Sequence, residues 1–158
     1  MRTGAVHTVA PASLLADRRV REIFQDKQAR VYKATDRMFG ALMIVQWAFA
    51  IALALILTPG TWTGTESATH PHVWAALVFG GILTTVPVLL AVFRPGTLLS
   101  RYTIAVTQMG MGALLIHLTG GRIETHFHIF GSLAFLAFYR DWRVLVPATA
   151  IVVVDHIV

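Results

Sequence analysis

The sequence predicts an all-α fold, a polytopic transmembrane helix bundle of about five membrane helices after a basic N-terminal helix. Apolar residues make up 56% of the 158 residues and charged residues only 13%, about half of the roughly 25% that soluble domains carry. Several apolar runs approach the roughly 20 residues that a helix needs to cross a bilayer. The net charge is +5; eight of the thirteen basic residues precede the first apolar run, and the other five lie between later runs, as is typical of membrane proteins with basic cytoplasmic segments.

Residues 1–37 are predicted to form a basic cytoplasmic or juxtamembrane segment. The stretch 13–37 is charged and rich in helix formers, and Ser13 is a candidate N-cap. We expect its basic side chains to meet lipid headgroups rather than a specific partner. This charged stretch is too long to be the start of a signal peptide.

Residues 38–158 are predicted to contain the membrane helices. We expect these helices at about 38–57, 73–93, 102–119, 123–139 and 144–158. A polar loop separates the first two, and the Gly120-Gly121 pair separates the third from the fourth. The fifth run would rise about 22 Å, short of the roughly 30 Å of a hydrocarbon core. We therefore expect the chain to be truncated at its C-terminus.

The lysines and arginines predict the orientation in the membrane. With the N-terminus inside, twelve of the thirteen basic residues lie on the inner side and only Arg122 lies outside. This distribution follows the bias of basic residues toward the cytoplasm. It predicts a membrane protein with a cytoplasmic N-terminus. Nucleic acid is not expected as a partner, because topology already explains the basic loops.

Histidines gather in one layer of the predicted bundle, on the periplasmic side. Six of the seven histidines fall there, and imidazoles that converge from several helices are how bundles build metal or haem sites. The chain contains no cysteine, so copper, zinc or iron would have to bind nitrogen, oxygen or thioether ligands. The candidate ligands are His117, His126, His128 and His156, followed by Glu124 and His72.

Helical spacing divides these candidates. His126 and His128 are two residues apart, so on a regular helix they point about 200° apart and cannot both bind one ion. Glu124 and His128 are four apart and share a face, so they could face one centre while His126 serves another. Alternatively, the chain just after Gly120-Gly121 is not yet helical. Asp155 is predicted to orient a histidine of another helix from outside the ligand set. Arg122 is the alternative partner of that carboxylate.

Part of the sequence resembles a known kind of membrane region. The run RYTIAVTQMGMGALLIHLTGGRIETHFHIFGSLAFLAFYRDWRVLVPAT, the later DH pair and the stretch THPHVW resemble the N-terminal multi-helix membrane region of bacterial signalling proteins. The resemblance is clearest to sensor histidine kinases, and related segments occur in chemoreceptors and diguanylate cyclases. It implies a sensory input module in the bacterial inner membrane, a homodimer, and a cytoplasmic signalling domain in longer relatives. The chain itself carries no kinase or nucleotide-binding motif.

Three other functions are compatible with the same residues. The histidines could serve a membrane redox enzyme or an electron-transfer subunit. They could form a pH sensor without metal, because clustered imidazoles titrate near neutral pH. The outer leaflet could also hold a quinone site.

Overall fold

The computed structural model describes residues 12–58, 60–63 and 66–157 of the chain. Five α-helices and one short β-hairpin follow one another. They are α1 (Ala12–Leu57), β1 (Gly60–Thr63), β2 (Glu66–Thr69), α2 (Pro71–Phe93), α3 (Leu98–Leu118), α4 (Ile123–Leu136) and α5 (Leu145–Ile157), with 3-10 turns at Ala137–Tyr139 and Trp142–Val144. The first eleven residues of the predicted N-terminal segment and Val158 of the predicted fifth helix lie outside the described residues.

The first helix is longer than the sequence suggested. Instead of a juxtamembrane helix followed by a membrane helix, α1 is one continuous helix of 46 residues, because neither glycine nor proline interrupts it before Gly40. It rises about 69 Å, more than twice the thickness of a hydrocarbon core. The N-terminal part of α1 projects from one end of the bundle, near Asp36 and Arg101, which we call the basic end. The opposite end holds His72, His117 and His126, and we call it the histidine end.

A hairpin occupies the polar stretch for which only a loop was predicted. Strands β1 and β2 pair antiparallel, with Gly60 opposite Thr69 and Thr63 opposite Glu66. Each strand is only four residues long, which leaves little periodicity to recognise in a sequence. The hairpin joins α1 to α2 at the histidine end.

The prediction of a helical bundle is confirmed, but only two of its helices meet a stringent test for membrane spans. Both α1 and α2 contain windows of mean hydropathy 2.3 that are long and apolar enough to cross a membrane; no other helix in the described part of the chain does. The 14 residues of α4 and the 13 of α5 rise about 21 and 20 Å. Polar residues such as Gln108 lower the hydropathy of α3.

Helix α2 buries mainly small side chains and exposes large apolar ones. On α2 the buried residues are Val73, Ala76, Gly80, Thr84, Pro87 and Ala91. The outward-facing Phe79 and Phe93 are 63% and 75% exposed. Small residues at helix contacts are typical of membrane bundles, because lipid is as apolar as leucine and close backbone approach favours association. The outer surface of α2 is therefore suited to lipid.

The contact between α1 and α2 depends on the absence of a side chain at Gly80. The indole of Trp47 donates a 3.0 Å hydrogen bond from Nε1 to the carbonyl oxygen of Ala76. The ring lies against Gly80, where a Cβ atom would come within 2.7 Å of Trp47 Cδ1. Glycine at this position therefore lets the indole bridge the two helices.

A buried carboxylate joins three segments at the basic end. The side chain of Asp36 is fully buried, and its two oxygens accept hydrogen bonds from the Tyr139 hydroxyl at 2.6 Å and the Gly96 amide at 2.7 Å. Nearby, the Arg101 guanidinium pairs with the Asp141 carboxylate at 2.6 Å. Together these contacts attach α1 to the α2–α3 loop, and α3 to the connection between α4 and α5.

The glycine contact yields a test of the packing. We expect Gly80→Ala to lower the free energy of unfolding by about 1–3 kcal/mol, because the added methyl group displaces the Trp47 ring and its hydrogen bond. Denaturant-induced unfolding in detergent micelles measures the change.

The matched control is Gly131→Ala on α4, where a Cβ atom meets nothing within 4 Å. That substitution should leave stability unchanged or raise it, because alanine favours helix more than glycine does. Equal unfolding midpoints for the two variants would contradict the proposed packing of Trp47 on Gly80.

Candidate functional site

An open cleft of about 470 Å³ lies at the histidine end, between α2, α3, α4 and α5. Its lining includes five residues that sequence analysis selected, which are His72, His117, His126, Asp155 and His156. These residues come from four helices and span more than half of the chain. The fold thus brings most of the predicted histidine layer to one place.

The imidazoles of His126 and His156 form a close pair in this cleft. Their ring centroids are 5.7 Å apart and the rings are inclined by 74°. In each ring Nδ1 lies near the backbone carbonyl oxygen of the residue four positions earlier in the sequence. The distance is 3.0 Å from His126 to Arg122 and 2.9 Å from His156 to Val152. Two facing helix segments therefore present their imidazoles in the same manner.

These carbonyl contacts fix the tautomer of both rings. A carbonyl oxygen only accepts hydrogen bonds, so Nδ1 carries a proton in each ring. In the neutral imidazole the lone pair then resides on Nε2, the arrangement found in many histidine ligands of metals. Two imidazoles on one tetrahedral ion, with metal–nitrogen bonds of about 2 Å, place their centroids about 5 Å apart. The His126–His156 pair has nearly this separation.

A second pair lies across the same cleft. The ring centroids of His72 and His117 are 5.3 Å apart, with the rings inclined by 63°. Nδ1 of His72 is 3.4 Å from the hydroxyl of Thr58, which follows the end of α1. The neighbouring His70 is the N-cap of α2. Its Nδ1 accepts a 3.1 Å hydrogen bond from the backbone amide of His72.

The two charged residues near the cleft make different contacts from those expected. The Asp155 carboxylate lies 3.7 Å from Nδ1 of His156 on its own helix, whereas the sequence suggested a histidine of another helix. Arg122 contributes its backbone carbonyl to His126. Within the described ranges, its guanidinium makes no ion pair with Asp155.

The structure separates His128 from the other candidates. The Nε2 atoms of His128 and Gln46 are 3.2 Å apart; because the amide nitrogen can only donate, the His128 lone pair accepts that bond. His126 and His128 therefore face opposite sides of α4, in agreement with their spacing. Glu124 is exposed on α4. In the part of the chain that the structure describes, no three histidine or carboxylate side chains are grouped to hold one metal ion.

Sequence analysis missed a set of buried amides. Gln46 is 7% exposed and Gln108 is fully buried, and Nε2 of Gln108 donates a 2.9 Å hydrogen bond to the Ser132 hydroxyl. Amides within apolar runs are uncommon and usually face the interior of a membrane bundle. Their position inside the predicted membrane helices was the signal that could have revealed them.

Comparison with known proteins yields one informative similarity. The chain is 32% identical over 114 residues to the transducer protein Htr8 of Halobacterium salinarum, a match that covers 66% of this chain and 17% of that protein. The chain thus corresponds to less than a fifth of that relative. No family model matches the sequence, and no solved structure matches it. The similarity supports, in coarse terms, the predicted resemblance to a region of signalling proteins.

The absence of cysteine from the sequence allows a direct test of the histidine pair. In a double variant, His126→Cys with His156→Cys, a short bifunctional thiol reagent should link α4 to α5, because the native rings lie 5.7 Å apart. Cleavage of the intervening loop at an inserted protease site, followed by gel electrophoresis, detects the link.

The control double variant, His128→Cys with His156→Cys, has the same number of thiols on the same two helices. It should react much more slowly, because His128 faces away from the cleft. Equal rates for the two double variants would show that the described arrangement of α4 is wrong.

Proposed function

We propose that this chain is the membrane-embedded sensory input module of a signal-transduction protein and that it binds a transition-metal ion in the cleft at its histidine end. The observation that carries the metal proposal is the His126–His156 pair, whose Nδ1 atoms are tied to backbone carbonyls. The similarity to a transducer protein supports the signalling part of the proposal.

In this proposal the chain crosses the cytoplasmic membrane five times, with the basic end inside and the histidine end outside. The basic residues support this orientation. The exposed apolar faces of the helices support contact with lipid. The helix α4 continues into the 3-10 turn at Ala137–Tyr139, and together they rise about 27 Å, close to the thickness of a hydrocarbon core.

The donor set favours copper, zinc or iron. Two Nε2 atoms form an incomplete shell, so the ion keeps positions open for water or for an external ligand. An open, shallow site suits a sensor, because bound and free metal can exchange. The Asp155 carboxylate adds negative charge beside the pair, and the His72–His117 pair offers further nitrogens across the cleft. Glu124 and His128 are left out of the proposed ligand set.

Haem is a second candidate for the same imidazoles. The ring centroids within the two pairs are 5.3 and 5.7 Å apart. These distances favour a single ion over haem, because a haem bound by both rings of a pair would need room for its macrocycle between them. The absorption spectrum distinguishes the two cofactors.

The proposed signal travels along α1. Thr58, just beyond the end of this helix, contacts His72 of the cleft, and the same helix emerges at the basic end. A metal-dependent shift at the cleft would therefore reach the cytoplasmic side without passing through a flexible joint. We propose that a longer protein receives this shift through a cytoplasmic signalling domain, as histidine kinases do, in a homodimer.

Metal binding by the untagged protein tests the site. We expect His126→Ala and His156→Ala each to weaken binding of Cu²⁺ or Zn²⁺ at least tenfold, because each removes one of two ligands. Titration of metal-stripped protein in detergent, with metal quantified by mass spectrometry, measures the change. A Soret band in the purified protein would instead assign a haem.

The matched control is His128→Ala, which removes an imidazole from the same helix but outside the cleft. It should bind metal as the parent protein does. Equal losses in the three variants would contradict the cleft as the site. A parent protein that binds neither metal nor haem, yet responds to acidification, would replace the proposal with a metal-free pH sensor.

A further inference from the structure

A second cavity, of about 300 Å³, lies between α1, α3 and α4. Residues that line it include Val45, Gln46, Phe49, His128, Ser132 and Phe135. None of its lining residues lines the cleft at the histidine end. It is therefore a separate site, and the proposed metal function does not use it.

The mouth of this cavity opens on the apolar outer surface of the bundle. Val45 and Phe49 on α1 are 64% and 54% exposed, and Phe135 on α4 is 43% exposed. These apolar side chains belong to the outer surface of the bundle, which contacts acyl chains once the protein is in a bilayer. A ligand would thus reach the cavity from the membrane and would need an apolar portion.

The inner wall presents an unsatisfied acceptor. Gln46 is 7% exposed, and its Nε2 atom is occupied by His128. Its Oε1 atom is buried and has no hydrogen-bond partner among the described residues. A buried carbonyl without a donor is unfavourable, so a ligand hydroxyl that reached this oxygen from the cavity would satisfy it.

A donor lies in the same wall. Ser132 is 2% exposed, and its hydroxyl oxygen accepts a hydrogen bond from Gln108. That bond leaves the hydroxyl proton of Ser132 free to be donated. The cavity therefore offers one acceptor and one donor, both on side chains that are more than nine-tenths buried.

We propose that this cavity binds the ring of a membrane-soluble hydroquinone. One ring hydroxyl donates to Oε1 of Gln46 and accepts from the hydroxyl of Ser132, a pair of bonds that a carbonyl of the oxidised quinone cannot make in full. Phe49 and Phe135 flank the ring with aromatic surface, and the apolar tail extends into lipid. The volume suits a single substituted ring.

Binding of three matched probes to the protein in lipid nanodiscs tests this assignment. The probes are a decyl-substituted hydroquinone kept reduced, its oxidised quinone and its dimethyl ether. We expect the hydroquinone to bind saturably and at least tenfold more tightly than the ether, which keeps the shape but has no hydroxyl to donate. Equal partition of all three probes, or tighter binding of the quinone, would overturn the proposal.

Two variants and a control locate the site. Gln46→Leu removes the acceptor at similar volume, and Gly131→Leu fills the cavity, since a Cβ atom there meets nothing within 4 Å. Each should weaken hydroquinone binding at least tenfold. Ala134→Leu adds the same side chain on the exposed surface of α4 outside the cavity and should leave binding unchanged.

Variants of each site distinguish hydroquinone binding in the cavity from metal binding in the cleft. His156→Ala should leave hydroquinone affinity unchanged, and Gln46→Leu should leave metal affinity unchanged, because the two sites share no lining residue. If His156→Ala abolished hydroquinone binding while Gln46→Leu did not, the ligand would belong to the cleft and this assignment would be wrong.

Discussion

The Asp36 carboxylate is fully buried where α1 leaves the bundle, and it accepts hydrogen bonds from Tyr139 and from the amide of Gly96. Burying a charge is unfavourable unless hydrogen bonds replace its water, so these segments must meet at this point. Their meeting sets the rotation of α1 about its axis. About three turns further along the same helix, that rotation directs Gln46 toward α4 and Trp47 toward α2.

Helix α4 occupies a position between two sites of different chemistry. His126 faces the open cleft, where its neighbours are polar and partly exposed, whereas His128 faces a lipid-side cavity and accepts a hydrogen bond from Gln46. Opposite sides of one short helix therefore contribute to the two sites. If a ligand bound at one of the two proposed sites rotated α4, the side chains of the other site would move as well.

Much of this arrangement could be predicted from the sequence, because apolar runs and glycine breaks mark helix bounds. The second helix was expected at 73–93 and is observed at Pro71–Phe93, and the cleft assembles most of the predicted histidine layer. The role of Gln46 could not be predicted, because periodicity assigns a residue to a face of its helix and does not identify which helix packs there. The continuity of α1 was missed because the change from charged to apolar residues suggests a boundary that the backbone does not have.

Contacts at both ends of the bundle hold α1 in place, and they differ in how easily they can rearrange. At the histidine end, Thr58 contacts His72 at 3.4 Å; at the basic end, Asp36 is held by two short hydrogen bonds. The longer, partly exposed contact is the easier of the two to rearrange, because water can replace it, whereas the buried carboxylate has no such alternative. A change in the cleft would therefore shift or tilt α1 about a pivot at Asp36. The helical extension beyond Asp36 is about as long as the part between Asp36 and Thr58, roughly 36 and 33 Å, so its far end would move by a similar distance.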